Sequence, residues 1–196
     1  MITDNFQIQA KILGGLITIL WALEILDSVF LRGALNRYGI RPRTAKGLRG
    51  ILLAPFLHGS LGHLAANTIP FVILGWLVML PETNDFFIVT AVALLASGFG
   101  VWLFGGSNTM HVGASGLIFG YFGFLLLRGY FERGVGSVAI SFVVGSLYGG
   151  LIWGVLPIRR GLSWQGHLFG FIGGVLAARF LPQLQQWFQL IKHSFT

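Results

Sequence analysis

The chain has 196 residues, 55% of them hydrophobic and only 10% charged, where an average soluble domain carries roughly 25% charge. That balance excludes an ordinary soluble domain and points to an integral membrane protein. The net charge of +7, from 13 basic and 6 acidic residues, fits anionic lipid headgroups as partner rather than nucleic acid in a chain this apolar. With no cysteine present, disulfides, thiolate catalysis and Cys-based metal sites are excluded.

A helix needs about 20 apolar residues to cross a bilayer, and six segments are predicted to do so: 8–30, 63–80, 86–104, 115–127, 135–156 and 165–181. The first resembles a signal peptide in its apolar core. Glu24 and Asp27 follow without a small-residue cleavage site, so a retained helix is expected. The next connector carries Arg32, Arg37, Arg41, Arg43, Lys46 and Arg49, then turns apolar again in GILLAPFLHGSLGH, expected to dip into the membrane interface. PETND (81–85), RGYFERG (128–134) and PIRRG (157–161) separate later spans. The fourth span is expected to be short. The fold class is an all-α polytopic bundle, made compact by 29 glycines that let helix backbones approach closely in lipid.

Three polar groups interrupt this apolar pattern. Ser115 in HVGASGLIFG follows a glycine-rich loop and opens a helix. A serine in such a place commonly bonds back to its own helix; the free N–H groups and positive dipole end at a helix start also suit a developing oxyanion. His167 opens GHLFGFIGG, where Gly166, Gly170 and Gly174 form a stripe, and Gly116, Gly120 and Gly123 form a matching one. Packing of the two stripes would bring Ser115 and His167 to one depth. A hydroxyl and an imidazole are the minimum of nucleophilic catalysis, and the positions of the six acids favour a dyad over a triad. His63 and Asn67, four apart in HLAAN, project from one helical face. They suit either an interhelical polar clamp or hydrogen-bond donation to an oxyanion. His58 is expected to be structural. A metal held by His58, His63, His111 and His167 is the rival for these histidines, but HExxH is missing and no carboxylate lies nearby in sequence.

With these motifs in order, the chain resembles the rhomboid family of intramembrane serine proteases. The resemblance covers nearly the whole length and includes GIRPRTAKGLRGILLAPFLHGSLGHLAANTIPF, which looks like the connector of bacterial members. It implies one six-helix peptidase domain over residues 1–196, in a bacterial-type cell membrane, cleaving transmembrane protein substrates without a cofactor. Ser115 would be the nucleophile and His167 the general base, then acid. His63, Asn67 and the Ser115 backbone N–H would line the oxyanion hole, and Gly116 and Gly170 would be helix-packing positions. Phe119 stands where some members have a tyrosine stacked on the catalytic imidazole, which keeps the stacking and loses the hydroxyl. The short ends imply a bare catalytic core. The family places lateral substrate entry near the fifth span, expected to be loosely held. It also places the N-terminus in the cytoplasm, with five basic residues inside and eight outside, against the positive-inside rule. An inactive relative that escorts membrane proteins would have lost the serine or the histidine. A small transporter or channel would use Ser115, His63 and His167 to line a path, but the sequence shows no internal repeat and no intramembrane charge pair in its support.

Overall fold

The computed structural model describes residues 2–158 and 161–194; Arg159 and Arg160, two of the eight basic residues assigned to the outer side, lie outside these. The described chain is helical. It runs α1 (Ile2–Ile25), α2 (Ala45–Leu53), α3 (Leu61–Met79), α4 (Thr83–Phe104), α5 (Ser115–Glu132), α6 (Val135–Tyr148), α7 (Trp164–Arg179) and α8 (Leu181–Ser194). α1 continues as a wider π-helical turn to Leu31, and α6 as a tighter 3-10 turn over Gly149–Val155.

Side chains at their first turns start two of these helices. Thr44 accepts the Gly47 N–H at the head of α2, and Ser60 accepts the His63 N–H at the head of α3, each satisfying a donor that has no partner in its own helix. α3 then carries Pro70 in its interior. Pro70 has no N–H to return to the carbonyl four residues back, so it frees the Ala66 carbonyl.

α5 is the centre of the bundle. α3, α4, α6 and α7 all pack on it, and Tyr121, Phe122 and Phe124 have no exposed surface. The glycine stripes account for its closest neighbour. A Cβ on Gly170 would strike the Gly116 carbonyl, and one on Gly174 would strike the Gly120 carbonyl, so α5 and α7 meet backbone to backbone. Ser115 and His167, each next to the first glycine of its stripe, are thereby held at the same level.

Four helical stretches among the described residues are long and apolar enough to cross a membrane: Asp4–Leu31, Leu61–Met79, Thr83–Phe104 and Val135–Val155. α7 and α8 meet that test only as a pair bent by 83°. The expected fourth span differs from expectation in length. α5 runs on to Glu132, because Arg128, assigned to a connector from its charge, is buried inside the helix. Arg128 Nη1 lies 3.1 Å from Asp85 Oδ2 of α4, and its Nε donates to Glu132 Oε1 at 2.6 Å. Gln185 of α8 donates to the other Asp85 oxygen at 2.7 Å. The chain therefore does hold a buried charge pair, which the sequence reading did not find, and Arg128 is no longer a loop charge in the orientation count.

Candidate active site

Ser115 is the first residue of α5, and its neighbourhood is fixed from three sides. Gly113 adopts φ +117°, a left-handed conformation open to glycine, and a side chain there would run into the His63 ring. The Gly113 N–H bonds the Ala54 carbonyl at 2.8 Å, tying this turn to the end of the basic connector. One residue on, the Ala114 N–H points to His58 Nε2 at 3.4 Å. His58 is buried; its burial, reinforced by neighbouring His63, lowers its pKa to about 4 and keeps it a neutral acceptor. His58 is thus a support beneath the serine turn, and its ring meets His63 edge to face at 5.2 Å.

Across from this turn, His167 lies in the first turn of α7. Its Nε2 stands 3.0 Å from Ser115 Oγ. Its other nitrogen, Nδ1, stands 2.9 Å from the carbonyl of Gly154. A carbonyl only accepts, so Nδ1 carries the proton and Nε2 presents its lone pair to the serine hydroxyl. The Phe119 ring lies flat on the imidazole, 4.1 Å between centroids and 5° between planes. A backbone oxygen and an aromatic face thus hold the imidazole without any carboxylate.

A cavity of about 980 Å³ opens over these groups, lined by His63, Asn67, His111, Ser115, Phe119 and His167 among others. Ala66 and Pro70 also line it, so the proline break in α3 borders this cavity. Asn67 is largely buried and its Nδ2 has no hydrogen-bond partner, an available donor at the wall of the space that holds Ser115. At the start of α5, the first backbone N–H groups have no partner within the helix. The structure thus brings Ser115, His167, Phe119, His63 and Asn67 together, and puts Gly116 and Gly170 at the helix crossing behind them. Among the described residues no three His, Asp or Glu side chains gather as a metal site would need.

Sequence reasoning missed two participants, the Gly154 carbonyl and Ser163, and weighed His111 only as a metal ligand. Gly154 meets His167 and Ser163 meets His111 through single long-range contacts, which local composition does not mark.

Comparison with known proteins gives the family. The chain is 41% identical over 187 residues to uncharacterized proteins of Mycobacterium tuberculosis and Mycobacterium bovis, covering 91% of this chain and 77% of theirs. It is also 41% identical over 186 residues to one of Mycobacterium leprae, covering 91% of this chain and 73% of that one. The profile of the Rhomboid domain matches residues 45–183, which include every residue of the cavity named above. The chain is an integral membrane protein of the rhomboid family, the family of intramembrane serine proteases.

Proposed function

We propose that this protein is a serine endopeptidase that hydrolyses a peptide bond in or near the transmembrane segment of a membrane protein, using Ser115 and His167 as a dyad. The observation that carries the reading is the 3.0 Å approach of His167 Nε2 to Ser115 Oγ, with Nδ1 pinned on Gly154. Ser115 Oγ attacks the scissile carbonyl carbon as its proton passes to Nε2. The negative charge on the former carbonyl oxygen is received by Asn67 Nδ2, His63 and the Ser115 N–H, and each such donor is worth about 3 kcal/mol in the transition state. The C–N bond breaks as Nε2 returns the proton to the leaving amine. Water, deprotonated by the same nitrogen, then releases the acyl group from Ser115. The cavity beside Ser115 and His167 supplies that water inside an apolar bundle.

In this reading α5 and α7 are the fourth and sixth spans of one catalytic unit in a bacterial cell membrane. α5 needs less hydropathy than the others because protein surrounds it. The N-terminus faces the cytoplasm, which reporter fusions after Leu80 and after Gly134 test; an external reporter at either site overturns this orientation.

The deciding experiment uses purified protein in liposomes with a transmembrane model substrate. Ser115→Ala and His167→Ala are each expected to lower cleavage by about 10³-fold or more. Cleavage that survives both substitutions would sink the dyad.

A further inference from the structure

His111 lines the cavity and takes no part in the dyad. It lies four residues before Ser115, and Ser163 lies four residues before His167. These two outer residues are joined side chain to side chain, His111 Nδ1 standing 2.7 Å from Ser163 Oγ. The other ring nitrogen, Nε2, stands 2.7 Å from Thr109 Oγ1. The direction of both bonds follows from counting protons. Thr109 donates its single hydroxyl hydrogen to the Gly106 carbonyl at 2.7 Å, so its oxygen accepts from Nε2–H. Nδ1 is then the bare nitrogen, and Ser163 donates to it. Burial lowers the His111 pKa, which favours this neutral form.

Both ends of the link are themselves anchored. The His111 backbone exchanges two hydrogen bonds with Ile40 of the basic connector, at 2.9 and 3.0 Å. The Ser163 carbonyl accepts the N–H of His167 at 3.1 Å. The His111–Ser163 bond therefore spans the same gap as the Ser115–His167 bond, with one short run of chain between them on each side. α5 and α7 are locked behind the dyad by their glycine crossing. In front of it, this side-chain bond closes the ring.

We propose that His111 is a positioning residue, which sets the separation of Ser115 and His167 by holding Ser163 at the head of α7. The inference rests on the peptidase reading above. Its physical basis is that a displacement of about 1 Å between reacting groups costs on the order of 10²-fold in rate, and nothing covalent ties the two loops together. His111 touches neither the scissile bond nor the proton in flight.

The test measures kcat and KM in liposomes on a transmembrane substrate, with kcat normalised to Ser115 sites titrated by a fluorophosphonate. His111→Phe keeps a ring and removes both bonds. Ser163→Ala removes the partner, and His111→Asn keeps an acceptor near the Nδ1 position. His111→Phe and Ser163→Ala are each expected to lower kcat about 10-fold with KM within about twofold, the size of one lost hydrogen bond. The double variant should be no slower than either single one, and His111→Asn should recover to within about threefold of wild type. A wild-type kcat in His111→Phe overturns the proposal, as do multiplying effects in the double variant or a His111→Asn as slow as the phenylalanine. If His111→Phe yields no titratable sites, Ser163→Ala and His111→Asn decide by the same values. Ser115→Ala separates the two claims: if it cleaves like wild type, the peptidase reading falls and this inference with it. If it is inactive while His111→Phe is wild-type, only the positioning role falls.

Discussion

Helices α5 and α6 are neighbours in the chain and both are apolar, yet they stand in opposite surroundings. In α5, eleven of eighteen residues are buried, including Arg128 and three glycines that face other helices. In α6, Val144 alone of fourteen residues is buried, and Phe142 and Leu147 keep about three-quarters of their surface exposed. It is α6, with the turn that follows, that has the hydropathy of a membrane span, while α5 falls short of it. Hydropathy records contact with lipid. A helix enclosed by protein is selected instead for small residues that admit close neighbours, and it can carry a charge where a partner neutralises it.

The largest break in this contrast is expected at Arg128. Its guanidinium is nearly buried against a fully buried Asp85, and removing one member of such a pair leaves an uncompensated charge costing about 4 kcal/mol. Arg128→Ala should therefore lower stability in detergent by that order, measured by SDS or thermal unfolding. Replacing both partners with apolar residues of similar volume should recover most of it. A stable single variant would show that the pair does not hold α4 to α5.

Glycine provides a smaller and more direct comparison. Gly170 meets the Gly116 carbonyl on α5, whereas a Cβ on Gly136 of α6 meets nothing within 4 Å. Gly170→Ala should cost about 2 kcal/mol by overpacking. Gly136→Ala should be neutral or gain a few tenths of a kcal/mol from helix propensity. Equal effects from the two changes, in unfolding midpoints of the same preparation, would remove the distinction between an enclosed and a lipid-facing helix.

The same contrast explains what could be read in advance. The helical class and the order of the main apolar helices follow from apolar runs, which local composition reports. The meeting of Ser115 with His167 follows from two stripes of glycine at three- and four-residue spacing, because a helix converts that spacing into one face. Arg128 could not be read so. Its charge looks like a connector until Asp85 is known to lie beside it, and that pairing belongs to the tertiary structure. α8 was missed for a related reason: its glutamines end the apolar run, so a hydropathy reading stops near Leu181. Gln185 in fact reaches back to Asp85. Gly154 and Ser163 act through one backbone oxygen and one hydroxyl, and neither leaves a periodic trace.

The smallest expected effect on stability is the one that tests the lipid-facing side. Phe142 is 76% exposed and Trp153 67% exposed, so neither ring packs deeply into the bundle in the folded state. Truncating an exposed side chain typically changes stability by no more than about 0.5 kcal/mol. Phe142→Ala and Trp153→Ala should therefore unfold with wild-type midpoints. If a transmembrane substrate reaches Ser115 past α6, the same two substitutions should still change its rate of cleavage or its preferred site, because they remove bulk from the surface it must cross. The two readouts fail separately. A loss above about 1 kcal/mol would mean that these rings pack against protein, contrary to their exposure. Unchanged midpoints with unchanged rate and selectivity would leave α6 lipid-facing, but would move substrate entry to another side of the bundle.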